Sequence, residues 1–141
     1  MILKRAYIKI AIVLLSGSLI LACKKNDDNN NNNSAILEKL KGKWTVNNYT
    51  TNQYYSNSSH LTTISVNPGD YIEFSTDGKL YIRLFSSVDT LAYSIVPNNR
   101  IVFDYIDTFD IKTLTANQLV LTNKKADSEQ SYYEQTFNLQ K

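Results

Sequence analysis

The sequence predicts an all-β domain, an antiparallel up-and-down barrel of about eight strands with one short helix before it. Apolar and polar residues alternate with a period of two through most of the chain after Trp44, a pattern typical of strands with one buried and one wetter face. Short turn sequences separate these segments, and no helix of crossover length lies between them, which excludes a parallel sheet. Closing into a barrel hides the edges of such a sheet, and a two-sheet sandwich is the alternative.

Residues 1–22 have the order of parts that is typical of a signal peptide. The segment begins with three basic residues, Lys4, Arg5 and Lys9. An apolar run, 10–21, follows and is shorter than the roughly 20 residues of a transmembrane helix. The run ends at Ala22-Cys23, and Cys23 is the single cysteine of the chain. This order resembles the lipobox of bacterial lipoproteins, and an ordinary signal peptide followed by an unrelated cysteine is the alternative.

The lipobox resemblance implies an anchor on the membrane. We expect cleavage before Cys23, a covalent diacylglycerol and an N-acyl lipid on that residue, and no other cofactor. Residues 23–33 contain no apolar side chain after the cysteine, so we expect a disordered polar tether. Asp27-Asp28 resembles the acidic tag of some Gram-negative surface lipoproteins. The expected location is therefore the outer membrane, on the cell surface or the periplasmic face.

The charge of the chain gives no reason to expect nucleic acid as a partner. The formal net charge is +2, but the three basic residues of the leader account for this excess. Without residues 1–22 the chain is close to neutral, so it lacks the positive field that nucleic acid binding requires.

Residues 34–141 are predicted to form one domain that begins with a short helix. Ser34 can cap a helix over Ala35–Lys41, and Gly42 ends it. Asp77-Gly78 lies between two alternating segments and is the clearest hairpin turn. Other turn sequences lie at 67–70, 97–99 and 116–117. The predicted strands are Trp44–Thr50, Leu61–Val66, Tyr71–Ser75, Leu80–Ser86, Thr90–Val96, Ile101–Tyr105, Phe109–Leu114, Leu119–Asn123 and Tyr132–Leu139.

Three segments resemble the small lipocalin-like lipoproteins of Gram-negative bacteria. Gly42-Lys43-Trp44 resembles the lipocalin GxW motif, in which the Trp plugs the closed end of the barrel. Residues 109–121 resemble a hairpin of these lipoproteins, and 133–139 resembles their last strand. The resemblance implies a lipocalin-like barrel over 34–141 that binds a small apolar or amphipathic ligand. Many lipocalins stack an Arg from near the chain end on the Trp, and the last strand here has no Arg.

No constellation of residues indicates catalysis, and we expect a protein that is not an enzyme. His60 is the single histidine, and no nucleophile-elbow motif surrounds any serine. Asp104, Asp107 and Asp110 recur at every third position, but turn capping fits them better than the ligand order of a calcium loop. No cluster of Cys and His suits zinc, so no metal site is predicted.

Tyrosine, with ten residues, is the one enriched residue type. Tyr gives rigid contact area with a polar tip, although strand propensity also favours it. Two hypotheses follow: the barrel holds a small ligand, or it is an envelope interaction protein that docks a protein or glycan through its outer face or a Tyr-rich loop. The candidate contact residues are Tyr49, Tyr54, Tyr55 and Tyr93.

Overall fold

The structure, a computed structural model, describes residues 27–55, 58–128 and 131–141. These residues form one helix, α1 (Asp27–Leu40), and nine strands. The strands are β1 (Gly42–Tyr55), β2 (Ser58–Ile64), β3 (Tyr71–Phe74), β4 (Lys79–Leu84), β5 (Ser87–Val96), β6 (Arg100–Phe103), β7 (Asp107–Leu114), β8 (Gln118–Ser128) and β9 (Ser131–Gln140).

The strands form one antiparallel sheet that closes on itself. From β3 to β9 each strand pairs with the next one along the chain, and β9 pairs with β1 from Thr45–Gln140 to Tyr54–Tyr132. β3 pairs with the start of β1, which completes a wall of eight strands. Among the described strands, β2 pairs only with β1, along the second half of that strand. The predicted up-and-down barrel is confirmed, and the alternative sandwich is excluded.

Strand alternation places the apolar series inside the barrel. On β4, Leu80 is completely buried and Ile82 is partly buried on the same face, whereas Arg83 is exposed. On β8, Leu119 and Leu121 are both completely buried. Side chains two positions apart lie on one face of a strand, so the predicted alternation is confirmed for these strands.

Helix α1 lies across one end of the barrel, which we call the closed end. Ile36 and Leu40 are buried in the core, and Leu37 packs against it. The helix begins at Asp27, so the prediction of a disordered tether is wrong for residues 27–33. Packing of Ile36 and Leu40 fixes the helix, and preceding residues then add hydrogen bonds without a second nucleation cost. Within the described ranges, no helix has the length and apolar character needed to cross a membrane.

Trp44 is completely buried beneath α1 at the closed end. Its indole Nε1 donates a hydrogen bond to the Leu40 carbonyl at 2.7 Å. The Lys141 ammonium lies 4.4 Å from the centre of the Trp44 ring, and it donates to the Lys39 carbonyl at 3.0 Å. Lys141 therefore makes the cation–π contact for which the resemblance implied an arginine. Gly42 has a φ of +95°, a conformation that suits the turn from the helix into β1.

The strand boundaries differ from the predicted ones at the opposite end of the barrel, which we call the open end. β1 continues to Tyr55 rather than ending at Thr50. β4 and β6 end earlier than predicted, so Phe85 and Tyr105 lie in turns instead of strands. The open end also contains the candidate site.

Candidate functional site

A cavity of about 310 Å³ lies inside the barrel and opens at the open end. The turn from β4 to β5 and the turn from β6 to β7 flank its mouth. The residues that line it are mostly apolar: Ile72, Ile82, Leu84, Leu91, Phe103, Ile106, Phe109 and Phe137, with Asp104, Asp107 and Gln135. Pockets for small molecules have volumes of about 300 to 1,000 Å³, so this cavity has the size of a small one.

The apolar side of the cavity comes from strands β3 to β7. Ile82 and Leu91 are only partly buried in the core because they face the cavity. Aromatic rings continue this side deeper into the barrel. The ring centres of Phe103 and Phe109 lie 4.9 Å apart, and those of Phe109 and Phe137 lie 5.9 Å apart. This side can bury an apolar group of a ligand.

The opposite side of the open half carries three polar residues, which we call the polar row: Thr51 of β1, Gln135 of β9 and Asn123 of β8. Gln135 pairs in register with both of the others, and Thr51 and Asn123 are buried. Asn123 Nδ2 donates to the Thr108 carbonyl at 2.8 Å. Asn123 Oδ1 is buried without a hydrogen-bond partner among the described residues. A buried unpaired acceptor costs free energy, so the polar row is not explained by packing alone.

Tyr49 lies one inward position deeper in the barrel than the polar row. Gln135 Nε2 donates to Tyr49 Oη at 2.6 Å, and the Tyr49 ring stacks on Phe137 with ring centres 4.4 Å apart. Burial, and then the neighbouring Tyr133, raise the pKa of the Tyr49 phenol to about 12. The phenol is therefore neutral at physiological pH, and it contributes hydrogen bonding without charge.

Two strained turns form the rim of the mouth. Phe85 and Ser86, between β4 and β5, have φ of 52° and 69°, and Asp104 and Tyr105, after β6, have φ of 46° and 62°. Positive φ at two consecutive residues is the pattern of a type I′ turn, which favours Asn and Gly. A bulky residue in this conformation costs about 1 to 2 kcal/mol. The Phe85 ring centre lies 6.1 Å from that of Tyr49, so this turn packs beside Tyr49.

Carboxylates hold both rim turns in place. Asp70 is almost completely buried, and its Oδ2 accepts hydrogen bonds from the backbone N–H of Asn67 at 2.8 Å and of Phe85 at 3.3 Å. Asp104 Oδ1 accepts from the Ala92 N–H at 2.7 Å. These bonds offset part of the backbone strain of the rim.

The tyrosines predicted as contact residues lie in different parts of the molecule. Tyr49 contacts Gln135 and Phe137, which line the cavity, but it is not itself among the lining residues. Tyr54 faces outward and stacks on a tyrosine of β9 with ring centres 4.1 Å apart, and Tyr55 is 50% exposed at the end of β1. Tyr93 is buried, and its Oη donates to the Ser75 carbonyl at 2.8 Å. Tyr93 does not line the cavity, in contrast to the prediction of a contact residue.

The other predicted site residues lie away from the cavity. Gly42 and Trp44 are at the closed end. Cys23, the predicted site of lipid attachment, lies outside the described residues, as does the predicted leader. His60 is exposed on β2.

The three aspartates at every third position each have a different partner. Asp104 accepts the backbone hydrogen bond described above, Asp107 forms an ion pair with Lys125, and Asp110 forms one with Lys112 at 2.8 Å. In the part of the chain that the structure describes, no group of three or more His, Cys, Asp or Glu residues could hold a metal ion.

The polar row was not among the predicted sites, although its positions follow the period of two. Thr51 continues the inward series of β1 after Tyr49, and Gln135 lies two positions from Phe137 on β9. Polar residues that continue a buried apolar series are the feature of the sequence that could have identified this side of the site.

Comparisons with known proteins give one similar structure. No family model matches the sequence, and no curated protein matches it. Among solved structures, the chain is similar to a deswapped triple mutant of bovine odorant binding protein, with 16% identity and a TM-score of 0.40. The alignment covers 73% of this chain and 74% of that chain. The barrel assignment rests on the strand pairing of this chain.

Proposed function

We propose that this protein binds a small amphipathic molecule in its barrel while a lipid on Cys23 holds it at a membrane. The observation that supports binding is the cavity of about 310 Å³ at the open end, with apolar side chains on one side. On the other side, Gln135 of the polar row lines the cavity, and it is hydrogen-bonded to Tyr49. A ligand with an apolar body and a polar head complements both sides.

The charges at the mouth favour an uncharged head group. Asp104 and Asp107 both line the cavity, and Lys125 forms an ion pair with Asp107. A ligand carboxylate close to Asp104 would be repelled, whereas Gln135, which lines the cavity beside the neutral phenol of Tyr49, can form hydrogen bonds with a hydroxyl or an ester. The proposed ligands are therefore long-chain alcohols or monoacylglycerols rather than fatty acids.

Displacement of a fluorescent amphiphile in vesicle-free solution tests this proposal. We expect decanol and monodecanoylglycerol to displace the probe with at least about tenfold higher affinity than decanoate. We expect Ile82→Trp, which fills the cavity, to weaken probe binding at least about tenfold. Tyr81→Trp on the outer face of the same strand is the matched control and should bind normally. Equal binding by both variants, or no binding by the parent chain, would contradict the proposal.

The membrane anchor is supported by the sequence of the leader. A basic start, an apolar run and the Ala22-Cys23 pair at its end have the order that acylation of a bacterial lipoprotein requires. We propose that the protein is held on the outer membrane, with several acyl chains giving stable attachment. Cells fed radiolabelled palmitate should label the parent chain and not the Cys23→Ala variant. Equal labelling of the two would show that Cys23 is not the acylated residue.

A further inference from the structure

The exposed large apolar residues of the described ranges all lie on elements of the open end. They are Tyr55, Leu61, Phe85, Val88, Tyr105 and Ile106. Single exposed apolar residues are common on proteins, but their restriction to one end marks an interaction surface.

Four of these residues lie on two neighbouring hairpins beside the cavity. Tyr105 is 86% exposed and Ile106 is 80% exposed, on the turn from β6 to β7. Val88 is 69% exposed and Phe85 is 44% exposed, at the turn from β4 to β5. We call these four side chains the apolar rim. Side chains as exposed as Tyr105 and Ile106 contribute almost nothing to the core, so their apolar area is free for a partner.

The backbone strain in the same turns supports a role in binding. Phe85 and Tyr105 both have positive φ, where Gly or Asn would be more stable. Their aromatic side chains are therefore held at the tips of the turns at a cost to stability. Strain of this kind is concentrated at binding sites.

We propose that the apolar rim docks on the surface of a zwitterionic lipid bilayer, and that the ligand passes between this bilayer and the cavity. Aromatic and aliphatic side chains together suit the interfacial layer of a bilayer. Ile106 belongs both to the rim and to the cavity lining, so an apolar path joins the two. The path of the ligand rests on the proposed function, whereas docking itself does not.

The charges at the open end favour a zwitterionic surface over an anionic one. Anionic membranes bind proteins through an excess of Lys and Arg. Here Lys125 is already paired with Asp107. The other described charged side chains exposed or half-buried near the rim are nearly balanced: Arg83 and Lys124 against Asp89, Asp104 and Glu134. Docking should therefore depend on apolar contact and be insensitive to salt.

Flotation of the chain 24–141 with vesicles tests the docking. The described strand pairings and core residues all lie within residues 27–141, so this chain keeps the barrel and lacks the anchor, which would itself bind lipid. The rim variant combines Tyr105→Gly with Val88→Thr, because neither residue lines the cavity. The matched control combines Tyr81→Thr with Val102→Thr, which removes the same residue types from the barrel wall.

We expect the parent chain and the control to float with phosphatidylcholine vesicles at low and at high salt. The rim variant should partition at least about tenfold less while it binds the probe normally in vesicle-free solution. Three results would overturn docking: no flotation of the parent chain, equal flotation of the rim variant, or flotation only with phosphatidylglycerol vesicles at low salt. Self-association lost in the rim variant, without flotation, would identify a second copy as the occupant instead. Flotation without probe binding in solution would refute the proposed function alone.

Discussion

At the closed end, the turn between β5 and β6 places Asn98 and Asn99 at φ of 67° and 54°, whereas at the open end the turn between β4 and β5 places Phe85 and Ser86 at 52° and 69°. Asn tolerates the left-handed region because its short side chain can form local hydrogen bonds, and Phe has no such compensation. The two turns have similar φ values and different compositions. Turn stability explains the residues at the closed end, and exposure of an aromatic side chain explains those at the open end.

Packing is also tighter at the closed end than at the open end. Leu40 and Trp44 at the closed end are completely buried, whereas Ile82 and Leu91 face a cavity and are partly buried. Stability is therefore concentrated near the helix, and the open end gives up packing for an accessible interior. Binding sites commonly have this reduced stability.

Truncation of the closed-end plug should have the largest effect on stability. We expect Trp44→Ala to lower the free energy of unfolding by about 3 to 5 kcal/mol, because it removes a buried ring together with its hydrogen bond and the Lys141 contact. Leu91→Ala at the open end is the comparison and should cost clearly less, because the cavity is already present there. Urea denaturation of both variants measures the difference. A loss below about 1 kcal/mol for Trp44→Ala would show that this end is not the stable one.

Removal of the carboxylate beneath the rim should have the next largest effect. Asp70→Ala leaves the N–H groups of Asn67 and Phe85 without their acceptor, and we expect a cost of about 1 to 3 kcal/mol in urea denaturation. Asp70→Asn keeps an acceptor oxygen and should lose less. If both variants lose the same free energy of unfolding, the two hydrogen bonds do not account for the stabilisation by Asp70.

One substitution that removes a glycine at the closed end and one that introduces a glycine at the open end should change stability in opposite directions. Gly42→Ala should destabilise by about 1 kcal/mol because its φ of +95° is unfavourable for alanine. Tyr105→Gly should stabilise by about 1 kcal/mol, because it produces the Asp-Gly pair that a type I′ turn favours. Thermal unfolding of the two variants measures both changes. A destabilised Tyr105→Gly variant would mean that the rim turn is not strained.

The smallest expected effect is on the pH dependence of stability. The pKa of Tyr49 is raised from 10.0 to about 12 in the folded protein, so its contribution is complete below pH 10 and is lost as the pH rises through about 12. Tyr49→Phe should therefore flatten the fall in stability over this range. Tyr93→Phe is the closed-end comparison, because burial and then Asp77 also raise the pKa of Tyr93. An unchanged slope in Tyr49→Phe would contradict the raised pKa.

The strands and their order followed from the sequence because the apolar series has a period of two along β4, β5 and β8. The positions of the closed-end turns also followed, since Asp77-Gly78 and Asn98-Asn99 are residues that such turns favour. In these segments the strand and turn preferences of the residues agree with the observed structure.

The open end was harder to predict because its residues go against those preferences. Phe85 and Tyr105 are strand formers, so they extended the predicted strands into the rim turns. Thr51 and Gln135 are polar at inward positions, so they interrupt the apolar series by which inward positions are recognised. Lys141 was missed for a different reason: the resemblance implied an arginine, but a lysine ammonium also binds the face of an indole.

The pairing of β1 with β9 has a consequence for how the chain folds. Asn47 Nδ2 donates to Gln140 Oε1 at 2.9 Å across a separation of 93 residues, at the seam where the first and last strands of the barrel meet. This seam cannot form until β9 has been synthesised, and contacts of such high sequence separation make folding slow. Until that point β1 lacks its partner along one edge, so closure of the barrel is the last pairing that the growing chain can make.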